Sequence, residues 1–244
     1  GLPFLLRDVS APIYGSALTL GLAASRIDES GLLDRTRLVT VHDGDRLAIG
    51  PFDVEFIPVT HSVPHGIATA FHTPQGVILH TGDFKLDLTP VDGRLTDLAR
   101  IGSIASNEGI RLLLSDSTNA DEHGHASSET TVGGVLYDLF HRYEGRRIIT
   151  TCFASHIHRV QQIADAAIAF DRVVATMGLS MKKNVRMARE MGLLRIPESH
   201  LRDISEVGDL PAGNVCVIST GSQGEPMSAL ALMAANENRW LNLC

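Results

Sequence analysis

Val59-Thr60-His61-Ser62-Val63-Pro64 and Ile78-Leu79-His80-Thr81-Gly82-Asp83 decide how this chain is read. Each is a run of strand-forming residues that stops on a metal-ligand type, the first at His61 and the second at Asp83. Between them, Pro74-Gln75-Gly76 separates runs at 68–73 and 77–81, the signature of a hairpin. The two ligand types therefore converge at one edge of a sheet. Imidazole and carboxylate suit zinc or manganese. Alone, each would be a hydrogen-bonded His or a turn Asp. Two ligands do not hold a catalytic metal, and the chain has no H-x-H-x-D-H cluster to supply the others.

Outward from this pair, the first part reads as β-rich. Residues 39–41 lead into a turn at Asp43-Gly44-Asp45, and 47–49 and 53–59 flank Gly50-Pro51. In the second of these, Val54, Phe56 and Pro58 alternate with Glu55 and Ile57, which predicts one buried face. Residues 16–25 and 92–105 read as helices or helical connectors. From about 110 the rhythm changes to short apolar strands (110–114, 147–151, 173–176, 215–219) separated by amphipathic helices (127–142, 156–170, 181–191). That alternation implies a parallel sheet with right-handed crossovers. The polar stretch Asn119–His125 places the boundary near residues 119–127, giving domains at 1–122 and 123–244. The fold class is α/β.

In an open parallel sheet, ligands bind beyond the carboxyl ends of the strands. Four such ends are alike: Ser115-Asp116-Ser117-Thr118, Thr151–His158, Met177-Gly178-Leu179-Ser180 and Thr220-Gly221-Ser222-Gln223-Gly224. Small residues and hydroxyls at helix N-termini expose N–H groups that suit phosphate. Asp116 and His158 form a further polar pair on this edge. His65, His72 and His80 have weaker claims as ligands, and His123 and His125 sit on a solvated loop. Arg159, Arg186 and Arg189 read as exposed helix charges, while Lys182 and Lys183 lie near a strand end. Ser222 lacks the G-x-S-x-G elbow, and the Walker A and G-x-G-x-x-G patterns are absent.

The net charge of −7 over 244 residues argues against a general basic coat for nucleic acid, though not against a local groove. Hydrophobic residues at 44% and charged residues at 20% describe an ordinary globular chain with no apolar run of bilayer length. Cys152, Cys216 and Cys244 show no metal or disulfide spacing and fit a reducing cytoplasm. Cys152 reads as a buried structural thiol. The chain opens without Met and stops in Arg239–Cys244, which reads as the start of a strand, so a fragment of a longer protein is expected.

Taken together, these segments resemble ribonuclease J, a metallo-β-lactamase fold with an inserted β-CASP domain, over essentially the whole chain. The marks are Pro12-Ile13-Tyr14-Gly15, Thr60-His61-Ser62-Val63-Pro64, His80-Thr81-Gly82-Asp83-Phe84-Lys85, Ser115-Asp116-Ser117-Thr118-Asn119-Ala120, Phe153-Ala154-Ser155, His158-Arg159-Val160-Gln161-Gln162 and Thr220-Gly221-Ser222-Gln223-Gly224-Glu225-Pro226. The resemblance implies a partial metallo-β-lactamase αββα sandwich followed by most of a Rossmann-like β-CASP domain. It makes His61 a metal ligand and Asp83 an Asp that bridges two zinc ions, with manganese or magnesium as alternatives. Asp116 and His158 would lie near the reacting phosphate, and Ser180 and Ser222 near the phosphate pocket. It implies hydrolysis of 5′-monophosphorylated single-stranded RNA, as a 5′→3′ exonuclease and an endonuclease, in RNA decay and rRNA maturation. Homo-oligomers, dimers or tetramers, and a cytoplasmic location without membrane contact follow from it. His65, His156 and Leu179 stand where related sequences usually carry an acid, Asn and Arg. The remaining metal ligands would lie outside these residues, so the chain alone is expected to be inactive. Rival readings are a related nuclease acting on DNA or mRNA 3′ ends, and a non-catalytic RNA-binding scaffold.

Overall fold

The structure, a computed structural model, describes residues 1–243. Cys244 lies outside them. The chain divides into two compact units, residues 1–128 and 129–244. The polar stretch read as a boundary falls just before this division.

The first unit opens with α1 (Leu2–Asp8), β1 (Ile13–Gly15), α2 (Ala17–Asp28) and β2 (Leu38–Thr40). Ser16 caps α2 by accepting the Thr19 N–H, and β1 and β2 pair in parallel. The main sheet follows with β3 (Arg46–Ile49), β4 (Phe52–Val59), β5 (Gly66–Thr73) and β6 (Gly76–His80) as an antiparallel meander. After α3 (Leu98–Asn107), capped by Asp97, β7 (Ile110–Leu114) adds in parallel beside β6. The order is β3-β4-β5-β6-β7.

Both faces of this sheet are covered. Ile57, Val59, Ala68, Ala70, Val77 and Leu79 pack with Ile104 of α3. Val54 and Phe56 pack with Val41, Tyr14 and Phe71 on the other face. The expectation that one face of residues 53–59 is buried is corrected: Val54, Glu55, Phe56, Ile57 and Val59 are all buried. Glu55 points under α3 and is neutralised there. Arg100 donates to it through Nε and Nη2 at 2.6 and 2.8 Å. His72 places Nε2 at 3.0 Å from Glu55 and Nδ1 at 2.6 Å from Glu108. A buried carboxylate is tolerable only with such partners.

The second unit begins with α4 (Glu129–Arg142) and continues through β8 (Ile148–Thr151), α5 (Ile157–Ala169), β9 (Val173–Met177), α6 (Leu179–Glu190), β10 (Leu201–Arg202), β11 (Val215–Ser219) and α7 (Ala229–Ala234). All four strands are parallel, in the order β10-β9-β11-β8. β11 is wholly buried at the centre, as a continuous apolar strand of a parallel sheet should be. Arg172 is 1% exposed; it donates to the carbonyls of Tyr143 and Arg146 and lies over the Phe140 ring. The α/β class stands, with one mixed and one parallel sheet. Two expectations are corrected. Residues 110–114 belong to the mixed sheet, because β7 finds its hydrogen-bond partner in β6, so their end is not a fourth end of the parallel sheet. Residues 239–243 form no strand; Trp240 N–H and Leu241 N–H instead donate to the Asn238 side chain.

Candidate functional site

The candidate residues fall into two groups, one in each unit. In the first, three chain segments are sewn together at the ends of β4, β6 and β7. Beyond β4, Thr60 forms a bridge with Lys85 and is fixed at both ends: its N–H donates to Thr96 Oγ1 at 2.9 Å and its hydroxyl to the Arg94 carbonyl at 2.8 Å. His61 follows, half-buried, with Nδ1 accepting a long 3.4 Å hydrogen bond from the Val63 N–H. Beyond β6, Gly82 takes a positive φ of 61° and delivers the exposed Asp83. Beyond β7, the Asp116 N–H donates to Thr81 Oγ1 at 3.0 Å, which locks the two strand ends to each other.

Asp116 is held by bonds from its own turn. Its Oδ1 accepts from the Thr118 hydroxyl at 2.6 Å and from the Thr118 N–H at 3.0 Å. These bonds hold its carboxyl below the usual carboxylate range, and the Phe84 N–H and the nearby His61 act in the same direction. Asp116 is thus an ionised acceptor beside both the Asp83 segment and His61. Sequence reading paired His61 with Asp83 but set Asp116 beside His158 instead; the structure brings the Asp116 segment to the ends that carry His61 and Asp83.

Imidazole and carboxylate donors at His61 and Asp83 are chemically suited to zinc or manganese. Among the described residues, however, no three His, Cys, Asp or Glu side chains cluster as a metal site. The pair fits a metal as part of a ligand set, with further donors required. The weaker histidines have other work: His72 binds two carboxylates, His80 Nδ1 accepts from the Gly82 N–H, and His65 sits in a turn at φ 61°.

The second group lies at the carboxyl end of the parallel sheet. Thr151, Ser219 and Met177 are in register across β8, β11 and β9, so the loops after them emerge side by side. The turn glycines are obligatory. Gly178 has φ 105°, and a Cβ there would come within 2.7 Å of Thr220 Oγ1. Gly221 has φ 117°, and its Cβ would meet Ser228 Oγ at 2.6 Å. Thr220 Oγ1 accepts from the Ala229 N–H within its own segment, the Thr220 N–H donates to the Met177 carbonyl at 3.3 Å, and Asn184 of α6 donates to the Ala154 carbonyl, so each loop is tied to a neighbour. Ser180 in the first turn of α6 and Ser222 are both exposed on this edge. Glu225 already accepts from the Gln223 N–H at 3.2 Å, which places a carboxylate within the Ser222 loop. Lys182 is paired with Asp203 at 3.0 Å.

His158 occupies the first turn of α5, half-buried. Its neighbour His156 caps that helix by accepting the Arg159 N–H. Burial pushes the His156 imidazole down to about 4, so it is neutral at ordinary pH. Cys152 is buried and its thiol pushed up to about 11, consistent with a structural role. Arg159 is not the exposed helix charge its spacing suggested. It is bound at 2.8 Å to Glu129, and sequence reading missed that pairing.

The family profile described as "Ribonuclease J, beta-CASP domain" matches residues 145–244. A protein named Ribonuclease J from Helicobacter pylori is 41% identical over 242 residues, 99% of this chain and 35% of that one. Its namesake from Mycobacterium tuberculosis is 43% identical over 243 residues, 99% of this chain and 43% of that one. The Thermus thermophilus protein is 42% identical over 241 residues, 96% and 42% of the two chains. The chain therefore spans 35% to 43% of the length of these relatives. A crystal structure titled as a protein of unknown function from Enterococcus faecalis V583 matches with a TM-score of 0.62 at 14% identity, over 85% of this chain and 52% of that one. At that identity the match speaks for the fold alone.

Proposed function

We propose that this chain, as a member of the ribonuclease J family, supplies part of the active centre of an RNA phosphodiesterase. The observation that carries this reading is the in-register edge of β8, β11 and β9. There, strained glycine turns expose Ser180, Ser222 and helix-turn N–H groups suited to phosphate oxygens. The ionised Asp116 and the neighbouring His61 and Asp83 segments supply carboxylate and imidazole chemistry. In this proposal the first unit is part of a metallo-β-lactamase domain, and His61 and Asp83 complete a two-metal site with donors from the rest of the protein. Such metals activate a water and steady the oxygens of an in-line displacement. The substrate is single-stranded RNA with a 5′-monophosphate, attacked exo- or endonucleolytically in RNA decay and rRNA maturation in the cytoplasm. The working protein would be a homo-oligomer.

The rival reading is a non-catalytic RNA-binding scaffold, in which the rest of the protein would supply no further metal donors. The test uses the intact parent protein beside Asp83→Ala. Bound zinc or manganese and cleavage of 5′-monophosphorylated RNA, both lost in Asp83→Ala, are expected. An intact parent that binds RNA, holds no metal and cuts nothing would establish the scaffold reading. The 244-residue chain alone is expected to leave the RNA uncut.

A further inference from the structure

Glu129 of the second unit is bonded across to a neighbouring element, yet the proposed chemistry assigns it nothing. It begins α4, and sequence logic gives it only a favourable position in the helix dipole. In the structure it grips three residues of another element. One carboxylate oxygen accepts from Arg159 Nη2 at 2.8 Å and lies 3.6 Å from His156 Nε2. Its backbone carbonyl accepts from Gln162 Nε2 at 2.7 Å. His156, Arg159 and Gln162 bracket the first turn of α5, the turn that carries His158.

The details agree with one another. His156 Nδ1 accepts the Arg159 N–H, so the neutral ring carries its proton on Nε2, the nitrogen that faces Glu129. The carboxylate thus favours the tautomer that the helix cap requires. Arg159 has a buried Nε without a hydrogen-bond partner, so Glu129 is the acid that keeps its guanidinium in place. Charge-assisted bonds of this type are the strong ones. α4 and α5 also approach closely here: a Cβ on Gly133 would lie 3.6 Å from Gln162 Nε2. Glu129 therefore couples the start of the second unit to the loop that follows β8.

We propose that Glu129 is a positioning residue of the catalytic edge, fixing the tautomer of His156 and the seat of Arg159 and thereby the turn that bears His158. The functional half of this inference rests on the reading above that His158 serves phosphodiester cleavage.

The test has two arms. Nitrogen-15 spectra of the chain's histidines report the His156 tautomer and titration in wild type, Glu129→Ala and Glu129→Asp. Wild type should show an Nε2–H ring that stays neutral well below pH 6. Glu129→Ala should mix the tautomers and, with the carboxylate that favours the charged ring removed, move the titration still lower. Glu129→Asp should restore part of the wild-type pattern. In the parent protein, Glu129→Ala should lower kcat on 5′-monophosphorylated RNA at least tenfold, with metal content and Tm held, and Glu129→Asp should recover part of it. An unchanged His156 signature in a folded Glu129→Ala chain overturns the proposal, as does full kcat in the parent. If the wild-type parent cuts no RNA, the nuclease reading fails, while the spectra still decide whether Glu129 positions the turn.

Discussion

His156 makes the second unit acid-sensitive in a calculable way. The ring is buried, caps α5 through Nδ1, and is held neutral with its titration pushed down to about 4 from 6.5. Burial is the main cause; Arg159 and His158 add to it, while the Glu129 carboxylate opposes it. A His with a depressed folded value is protonated more readily in the unfolded chain. Its contribution to stability is therefore complete above pH 6.5 and is lost as the pH falls toward 4. With these two values, linkage gives a loss of about 1.4 kcal/mol at pH 5.5 and about 2.5 kcal/mol at pH 4.5. Carboxylates held low, such as Asp116 and Asp203, weaken the fold in the same direction at lower pH, so the absolute curve does not isolate the imidazole.

His156→Asn does isolate it. Asn can cap the helix with its side-chain oxygen and carries no titrating group. Urea unfolding followed from pH 7.5 to 4.5 should show wild type losing about 2.5 kcal/mol more than His156→Asn, with the curves separating below pH 6.5. Parallel curves over that range would show that His156 is not a buried neutral cap, and the reasoning would fall.

Gly178→Ala should destabilise the second unit by about 3 kcal/mol, from backbone strain and the clash with Thr220 Oγ1, whose position the Ala229 N–H fixes. Calorimetry should show a drop of roughly 10 °C, whereas Gly134→Ala, with open space in α4, should be neutral or slightly stabilising. Arg100→Ala should cost the first unit about 2 kcal/mol by leaving the buried Glu55 without its main partner. The Glu55 carboxyl is held below its usual range chiefly by Arg100 and next by His72, so the wild-type stability it confers is present above pH 4.5 and lost below. In Arg100→Ala the carboxyl is held low less strongly, so the loss on acidification below pH 4.5 should shrink, which urea midpoints against pH will show.

Much of the architecture was legible because period and turn chemistry are local properties. Pro74-Gln75-Gly76 and Gly50-Pro51 announced their hairpins, and Ser16 its helix. What was illegible depended on distant partners. Residues 110–114 are apolar enough to read as a core strand of the parallel sheet, yet Leu112, Leu113 and Leu114 are exposed on an edge. Hydrophobicity shows that a strand forms but cannot choose between two sheets. Arg159 sits at ordinary helical spacing, and nothing within its helix signals that an acid 30 residues earlier will hold it. α1 and α7, of 7 and 6 residues, are too short for a periodic signal. Among the candidate residues, His61, Asp83, Asp116, Ser180 and Ser222 were proposed by strand-end logic, because strand ends are where side chains leave the sheet.

The two units fix their strand-end groups by opposite electrostatic means. In the first, a carboxylate is kept charged: Asp116 draws on two bonds from Thr118, one from Phe84 and the proximity of His61, so it serves as an acceptor over most of the pH range. In the second, an imidazole is kept uncharged: burial holds His156 neutral so that its lone pair can serve the helix cap. Acid attacks both, but through different groups and in different windows. His156 takes up its proton between pH 6.5 and about 4, whereas Asp116 resists until below the usual carboxylate range. Mild acid should therefore loosen the α5 turn while the Asp116 junction is intact. A chain whose Thr118 and Phe84 amides lose hydrogen-exchange protection before the amides of Arg159 and Val160 on lowering the pH would contradict this order.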